Sequence, residues 1–377
     1  MPKVSVIVPA YNVEPYVRKA MTSLQCQTLK DMEFICINDG SKDGTLAILQ
    51  EFAAEDPRFI IVDKENGGYG VAMNIGLSKA TGEYIGILEP DDHVPVEMFG
   101  DLYRIAAAND LDFVKADFFR FAQDPENGNI FYAYNRLDRS GEWYNKVVDP
   151  SVTPQLTKFI MNTWSGIYKR SFLEAYGIRH HETPGASYQD NGFFWQTFMH
   201  ARRAMFIDTP YYLNRRDNPN SSVKDRGKVY AMNVEYAYIR DIFLRPENAK
   251  KWETFKGYFV LKEYNNYRFT LGRIDKSLRA QYVRDISVRM KEARDLKELD
   301  KSLFTDYQLL ELNTLIDDPD AYTKKYGMVK NSDWKTPEEK ALEKIERLEK
   351  SAPYRAGRVV TAPGRLVKKV YYRLKRK

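Results

Sequence analysis

Short apolar runs alternate with longer amphipathic stretches through the first third of the chain. Val4–Val8 is a nearly continuous apolar run, as expected of a strand that is covered on both faces. From Val13 to Leu24 the apolar residues follow the i, i+3, i+4, i+7 spacing of an amphipathic helix. The same alternation predicts further strands and helices at Phe34–Ile37, Thr45–Phe52, Phe59–Val62, Val71–Ala80, Glu83–Leu88, Glu97–Ala108 and Phe113–Ala116. This order predicts an α/β fold around a doubly wound, mainly parallel sheet.

The remainder of the chain has a different pattern. Residues 1–117 carry the alternation of strands and helices, and residues 118–227 are mixed and rich in Tyr, Trp, Asn and Pro. Residues 228–350 have the apolar spacing of helices, including a charged helical segment at Thr336–Lys350, and residues 351–377 form a basic tail. We therefore expect an α/β domain that is followed by a helical C-terminal extension.

The net charge of +6 is concentrated in this tail. Residues 351–377 hold nine Lys and Arg and no Asp or Glu, which leaves residues 1–350 with a net charge of −3. Because each Lys or Arg near an anionic lipid surface contributes about 1 kcal/mol, the tail could hold the protein on the inner face of the plasma membrane. A disordered, solubilising tail is the alternative. Deleting 351–377 and measuring co-sedimentation with anionic liposomes distinguishes the two.

The N-terminus, the apolar stretches and the two cysteines indicate where in the cell the protein is located. Met1 runs almost directly into the first strand without a signal peptide, and no apolar stretch is long enough to span a bilayer. Cys26 and Cys36 are predicted to lie on core faces as small hydrophobic residues rather than to form a disulfide or a metal site. We therefore expect a cytoplasmic protein.

Polar loops follow three of the predicted strands. They are Pro9–Asn12, Asn38–Gly44 and Glu89–Asp92, and sheets of this kind bind ligands beyond the C-terminal ends of their strands. The second loop also has the start of an EF-hand calcium pattern. However, Gln50 stands where that pattern needs a bidentate carboxylate, and a strand rather than a helix precedes the loop. We therefore assign Asp39 to the ligand crevice.

Glu89-Pro90-Asp91-Asp92 is the most informative cluster. Adjacent carboxylates repel one another unless a cation holds them, and hard oxygen ligands suit Mg²⁺ or Mn²⁺ bound together with substrate phosphates. Asp92 is the expected metal ligand, and Asp91 is expected to accept a hydrogen bond from a ribose hydroxyl. A solvated acidic turn is the alternative.

Two further groups could take part in chemistry. Asp190 lies at the start of an aromatic-rich helix, where it could be a helix N-cap or a general base toward a hydroxyl. Arg215 and Arg216 lie side by side in a polar loop, where they could neutralise a pyrophosphate or form a solvated surface pair.

Several classes of function lack their motifs. Gly68-Tyr-Gly70 continues to Met73 where a dinucleotide-binding turn needs glycine, and the sequence contains neither a phosphate-binding P-loop nor a G-x-S-x-G elbow. A sugar nucleotidyltransferase remains an alternative, although no Gly/Lys phosphate cradle lies near the first strand. A non-catalytic protein that binds through its basic tail is another alternative. Nucleic-acid binding is not expected, because the body of the chain is not basic.

Four blocks in this order resemble the family-2 glycosyltransferases of the GT-A fold. Val4–Asn12 is similar to the opening strand of that family, 38–44 to its second-strand loop, and 66–76 to its central helix. The segment 82–92 resembles its metal-binding D-x-D segment. Weaker similarities follow at Trp164–Arg170, Gln189-Asp190 and Tyr212–Ser222, and the resemblance ends near Lys228.

The resemblance implies an inverting transfer of a hexosyl or N-acetylhexosaminyl group. The donor would be a nucleotide-sugar, commonly a UDP-sugar, and the acceptor a hydroxyl of a glycan or lipid-linked glycan in cell-surface polysaccharide synthesis. It makes 1–117 the nucleotide-sugar-binding half and 118–227 the acceptor-side half of the catalytic domain. The implied cofactor is Mn²⁺ or Mg²⁺.

The resemblance also assigns roles to single residues. Asp190 matches the catalytic base, Asp92 the metal ligand on the diphosphate, and Asp91 the ribose contact, while Glu89 is a second, uncertain metal ligand. The acceptor side is assigned Trp164 and Gln189. The donor-binding residues are Pro9, Ala10, Tyr11, Asp39, Asn74, Arg215, Arg216 and Ser221.

Three positions depart from the family pattern. Glu89 stands where Asp is usual, Met73 replaces a common Arg, and Gln189 replaces the acid that often precedes the base. The last change removes a like charge next to Asp190, so a neighbour there should not raise the pKa of the base. Asp39, Asp92 and Asp190 are all present, which favours an active enzyme.

Overall fold

The computed structural model describes residues 1–124, 128–186, 188–220 and 227–327. Ser221, the predicted helical segment Thr336–Lys350 and the basic tail 351–377 lie outside these ranges. The predictions made for them stay predictions.

The described strands form one mixed sheet in the order β3-β2-β1-β4-β7-β5-β6, with β8 on the other edge of β5. Neighbours β1, β2, β3 and β4 pair in parallel, as do β5 and β8, whereas β7 runs antiparallel to both β4 and β5. The strands are β1 Val4–Ala10, β2 Met32–Asp39, β3 Phe59–Lys64, β4 Tyr84–Ile87, β5 Phe113–Gln123, β6 Ile130–Asn135, β7 Gly166–Lys169 and β8 Ala204–Arg215. The expected mainly parallel α/β fold is confirmed, with β7 inserted between the fourth and fifth strands.

Helices pack around this sheet in residues 14–200. Two of these helices begin at residues that favour a helix start. Pro15 lies in the first turn of α1, where the missing N–H of proline costs no hydrogen bond. The Asp43 carboxylate accepts the Thr45 N–H at the start of α2, at 3.1 Å. The six helices are α1 Glu14–Gln25, α2 Thr45–Glu55, α3 Tyr69–Lys79, α4 Met98–Ala108, α5 Arg170–Ala175 and α6 Gln189–His200.

The helical extension is confirmed as far as the structure describes it. It consists of α7 Ala231–Phe243, α8 Ala249–Leu271, α9 Lys276–Asp295, α10 Asp306–Asp317 and the short α11 Pro319–Tyr322. It docks on the α/β part of the chain through Trp195 of α6, whose ring centroid lies 5.7 Å from Phe243 and 5.4 Å from Phe259. Since Trp195 is fully buried, the extension and α6 share one hydrophobic core.

Two expectations from the sequence are wrong. Cys26 is exposed at the end of α1, whereas Cys36 is buried in β2 as predicted, and both thiols are unpaired. Asp190 is the second residue of α6 rather than its N-cap, since Tyr188 takes that position with a φ of 69°. The spacing that suggests a cap does not distinguish adjacent positions in the first helical turn.

Candidate active site

The loop after β4 is fastened to the end of β8. His93 and Leu213 form an antiparallel bridge, with N–H to carbonyl distances of 3.3 and 3.0 Å. Just before this bridge, Asp92 is 1% exposed. Its carboxylate accepts the backbone N–H of Arg215 at 2.6 Å and the side-chain amide of Asn214 at 3.0 Å. The strand pairing therefore fixes the predicted metal ligand in one orientation.

The other two acids of this loop are also held by neighbouring side chains. Asp91 accepts a hydrogen bond from Asn218 at 2.8 Å, and Glu89 accepts one from the Tyr69 hydroxyl at 2.8 Å. Burial raises the pKa of Glu89 to about 8. The pKa of Asp92 is raised mainly by burial and then by the charge of Asp91. This loop therefore gathers more negative charge than its surroundings stabilise.

The closely spaced carboxyl groups of this loop raise the question whether the site fits a metal ion. Within the described ranges, no three His, Cys, Asp or Glu side chains converge closely enough to chelate a metal by themselves. Mg²⁺ and Mn²⁺ are commonly held by one or two carboxylates together with substrate phosphates. The donor set of Asp92 with Asp91 or Glu89 nearby fits such a shared ion, because a cation would favour the ionised carboxylates that burial, and for Asp92 and Glu89 also the neighbouring charges, disfavour.

Asp39 ends β2 and organises the turn before α3. Its carboxylate accepts the backbone N–H groups of Gly67 at 2.8 Å and Gly68 at 2.9 Å, and it pairs with Lys64 at 2.5 Å. Gly68 has a φ of 91°, which favours glycine. Because Asp43 turns instead toward Thr45, the two acids of the calcium-like pattern serve separate purposes, which agrees with the rejection of an EF-hand.

The first strand ends beside this turn. Ala10 pairs with Asn38 in the sheet, so Tyr11 and Asp39 follow at neighbouring strand ends. Pro9 and Ala10 are buried, whereas Tyr11 is 49% exposed. An exposed aromatic ring at this edge offers a surface on which a planar base can stack.

The two arginines after β8 have different surroundings. The Arg215 guanidinium lies 4.8 Å from the ring centroid of Tyr16 and 4.7 Å from that of Phe121, and it pairs with Asp217 at 3.0 Å. Arg216 is exposed, and the charges of Arg215 and Arg216 both act against the rise that burial causes in the pKa of Asp91. Both arginines therefore lie near the acidic loop, but the Arg215 guanidinium is packed and donates through Nε to the Asp91 carbonyl at 3.1 Å, whereas the Arg216 side chain is exposed to solvent.

Asp190 reaches the same region from the first turn of α6. Burial raises its pKa to about 6, while backbone N–H groups of the helix and the charge of Lys115 act in the opposite direction. Its charge also contributes to raising the pKa values of Glu89 and Tyr69. Asp190 is therefore close enough to the loop after β4 for its charge to act on Glu89. No adjacent acid contributes to its raised pKa, in agreement with the Gln189 substitution.

Lys115 is a site residue that the sequence analysis missed. It lies on β5 with 1% exposure, and its Nζ donates to the carbonyl of Asn162. Burial lowers its pKa to about 7, and the charge of Asp190 opposes this shift. The sequence could have indicated this residue, because Lys115 interrupts the apolar run Phe113–Ala116 and lysines are rarely buried unless they are paired.

The other predicted site residues hold the chain that leads to α6. Asn74 donates to the Glu182 side chain and the His180 carbonyl, at 2.8 and 2.9 Å. Gln189 donates to Thr183 Oγ1 at 2.8 Å. Trp164 stacks on Tyr212 with the ring centroids 4.2 Å apart. The buried Met73 belongs to the core, in place of a polar contact.

Together these features define an α/β protein with a strand-end site that combines an acidic loop, an arginine and a carboxylate of raised pKa. Residues 5–177 match the model of the family described as Glycosyl transferase family 2. This match confirms the resemblance found in the sequence over slightly less than half of the chain.

Curated relatives include several glycosyltransferases. The chain is 35% identical over 227 residues to the uncharacterized glycosyltransferase EpsJ of Bacillus subtilis, a match that covers 59% of this chain and 63% of that protein. It is 27% identical over 305 residues to the cholesterol galactosyltransferase of Borreliella burgdorferi, covering 78% and 84%. The match to the glycosyltransferase GlyA of Streptococcus pneumoniae, 32% identical over 180 residues, covers 46% of this chain and 25% of that protein.

Solved structures share the fold. A crystal structure of residues 1–349 of TarS from S. aureus in complex with UDP-GlcNAc superposes with a TM-score of 0.64 at 18% identity, and covers 87% of this chain and 92% of that one. The UDP complex of the same protein gives a TM-score of 0.61 at 19% identity, with coverage of 88% and 90%. The fold therefore extends beyond the family match into the helical extension. Through the described part of the chain, no helix has the length and apolar character needed to cross a membrane.

Proposed function

We propose that the chain is an inverting glycosyltransferase that moves a hexosyl or N-acetylhexosaminyl group from a UDP-sugar to a hydroxyl. The observation that carries this proposal is that the charge of Asp190 acts on Glu89 in the loop after β4. A carboxylate with a pKa of about 6 stands beside a buried acidic loop that is suited to a cation and a diphosphate. A base and a leaving-group site are thereby brought to one strand edge.

In this proposal Asp190 removes the proton of the acceptor hydroxyl. With a pKa of about 6 the carboxylate is mostly ionised at neutral pH, yet it keeps enough basicity to accept a proton in the transition state. The acceptor oxygen then bonds to the anomeric carbon as the bond to the UDP oxygen breaks on the opposite face. The electron pair leaves with the diphosphate, and the configuration at the anomeric carbon inverts.

The donor diphosphate is assigned to the loop after β4. Asp92, with Asp91 or Glu89 nearby, would hold Mn²⁺ or Mg²⁺, which supplies positive charge against the leaving diphosphate. Arg216 rather than Arg215 would contact the phosphate oxygens, because the Arg215 guanidinium already lies near two rings and pairs with Asp217. Tyr11 and the turn held by Asp39 would border the uracil, and Asp91 the ribose.

The acceptor is proposed to be a glycan or a lipid-linked glycan in cell-surface polysaccharide synthesis. Trp164 and Gln189 would border this acceptor. Relatives whose names describe lipid or polysaccharide products, the cholesterol galactosyltransferase and the hyaluronan synthase of Pasteurella multocida, support this class. The latter is 40% identical over 94 residues.

Thermal stabilisation by UDP, GDP, CMP and dTDP tests the donor site, with Mn²⁺ and with EDTA in separate samples. Ligands that bind the folded state raise the melting temperature by mass action. We expect stabilisation by UDP that is lost with EDTA. A screen of UDP-sugars follows, with the anomeric configuration of the product read by NMR. Stabilisation by no nucleotide, or a product with retained configuration, would contradict the proposal.

A further inference from the structure

Helix α7 of the extension places a buried carboxyl group against the first turn of α6. Glu235 is 1% exposed, and its Oε1 accepts the backbone N–H of Gly192 at 2.9 Å. The first N–H groups of a helix have no partner within the helix and need an acceptor from elsewhere. Gly192 is two residues beyond Asp190, so α7 supplies an acceptor to the helical turn that carries the proposed base.

The identity of Gly192 follows from this contact. A Cβ at this position would lie 2.4 Å from Glu235 Oε1 and 3.2 Å from the ring of Tyr238. A side chain at this position would therefore displace the Glu235 carboxyl group from the Gly192 N–H and press on the ring of Tyr238. The close approach of the two helices depends on glycine on one side and on the carboxyl group on the other.

The second oxygen of Glu235 contacts the loop before α6. Glu235 Oε2 lies 3.0 Å from Nδ1 of His181, whose ring stacks on Tyr238 with centroids 4.0 Å apart. The backbone of His181 in turn lies against α3, because a Cβ on Gly70 would approach the His181 carbonyl to 2.0 Å. One carboxyl group thus joins α7, the base helix and, through His181, the nucleotide-binding half.

We propose that Glu235 is a positioning residue for Asp190, so that the helical extension is part of the catalytic apparatus. This inference rests on the proposed function for its kinetic consequence. It acts by fixing the first turn of α6 and residues 180–186 relative to α3. It goes beyond the family match, which ends at residue 177 and includes neither α6 nor α7.

Replacing Glu235 by alanine removes the acceptor for the Gly192 N–H and the partner of His181. The first turn of α6 then loosens, and a base that is misplaced by about 1 Å can lose about 100-fold in rate. We expect Glu235→Ala to lower kcat by about 10- to 100-fold with the KM for the donor little changed, since the loop after β4 is untouched.

Glu235→Gln is the rescuing variant. Its amide oxygen can accept from Gly192 and its NH₂ can donate to His181 Nδ1, so both contacts are retained. Burial raises the pKa of Glu235 to about 8 and lowers that of His181, so the neutral pair that glutamine imitates is the favoured form near pH 7. We expect kcat to return to within about threefold of the wild type.

Glu263→Ala is the matched control. Glu263 is also 1% exposed and belongs to the same extension, but its carboxylate contacts Arg289 at 3.1 Å and Tyr267 at 2.8 Å, both outside α6. We expect this variant to lower the melting temperature without a selective loss of kcat. All rates are compared at a temperature where each variant is folded.

Hydrogen exchange of the 189–195 amides gives a readout that needs no activity. We expect faster exchange there in Glu235→Ala only, and the wild-type rate in Glu235→Gln. Unchanged exchange, or a fall in kcat no greater than that of Glu263→Ala, overturns the positioning role. If the wild-type protein transfers no sugar from any UDP-sugar, the proposed function fails, and the exchange result alone decides whether Glu235 orders α6.

Discussion

The loop after β4 and the first turn of α6 both place carboxylates at the same edge of the sheet, but they hold them in different ways. The carboxyl groups of Asp91 and Asp92 accept hydrogen bonds from Asn218, Asn214 and the Arg215 backbone. Asp190 faces backbone N–H groups of its own helix and the charge of the buried Lys115. One region is anchored by specific side chains, whereas the other is set in a helix turn beside a titratable cation.

This difference suits the two proposed roles, which are binding of a cation and a diphosphate by the loop after β4 and proton removal by Asp190. A group that holds a diphosphate and a cation must keep its orientation, and the bridge between His93 and Leu213 provides that rigidity. A general base must instead gain and lose a proton near neutral pH, which requires a raised pKa. Removing either carboxylate should therefore have different consequences, and the following variants test this from the largest expected effect to the smallest.

Asp190→Asn should lower the transfer rate by about 100- to 10,000-fold, the usual contribution of a general base. Stabilisation by UDP with Mn²⁺ should remain, because the acidic loop is intact. The folded-state pKa of Asp190 lies above its usual value, so its contribution to stability is lost as the pH rises through about 6. At pH 7.5 the melting temperature should therefore not fall. A variant that keeps transfer would rule out Asp190 as the base.

Asp92→Asn should remove most of the stabilisation by UDP with Mn²⁺, which is about 2.7 kcal/mol when UDP is present at 100 times its Kd. The amide keeps an acceptor for the Arg215 N–H but loses the charge that would hold the cation. Asp217→Asn is the matched control, since Asp217 also contacts Arg215. We expect the control to keep its response to UDP, as measured by thermal unfolding with and without EDTA. Equal losses in both variants would argue against a metal role for Asp92.

Arg216→Ala should raise the KM for the UDP-sugar by about 10- to 100-fold, because a hydrogen bond to a charged group contributes about 1.5–3 kcal/mol. Its melting temperature should stay unchanged, since the side chain is exposed. Arg215→Ala should do the reverse: it loses two cation–π contacts of about 0.5–1 kcal/mol each and therefore unfolds at a lower temperature. Donor kinetics and melting curves of both variants distinguish these roles, and interchanged results would reverse the assignment.

Lys115→Met should have the smallest effect near pH 8. In the wild type the transfer rate should rise with pH through about 6, as Asp190 loses its proton. Removing the positive charge of Lys115 raises the pKa of Asp190, so this rise should move to higher pH. The measurement is kcat/KM from pH 5 to 8.5 for both proteins. A shift to lower pH, or none, would mean that Lys115 does not stabilise the ionised base.

The sheet could be predicted from the sequence because its central parallel strands are buried on both faces. All residues of β1 and β2 are buried, so their near-continuous apolar runs mark them directly. The positions of the acidic loops follow from the rule that strand ends meet at one edge. The short antiparallel β7 between β4 and β5 was not predicted, because four residues are too few to show the alternation of apolar and polar positions that distinguishes a strand from a loop.

The side-chain contacts within the site could not be predicted from local sequence patterns. Arg215 and Arg216 are adjacent and identical in type, and their proposed roles differ because of tertiary contacts that Arg215 makes, such as those with Tyr16 of α1 and Phe121 of β5. Glu235 and Lys115 become site residues through packing between elements that are distant in sequence. The predicted donor contacts of Pro9, Ala10, Tyr11 and Asp39 stay predictions, as does the acceptor role of Trp164.

The packing of Trp195 among the phenylalanines of α7 and α8 has a consequence for how such enzymes can be recombined. A chimera that exchanges only the segment matched by the family would take the proposed donor loops from one parent and leave α6, which carries the proposed base, with the other. Because α6 is buried against the extension, an exchange of acceptor preference should move 178–271 as one block. The segment that must be exchanged as a whole is therefore longer than the segment that matches the family.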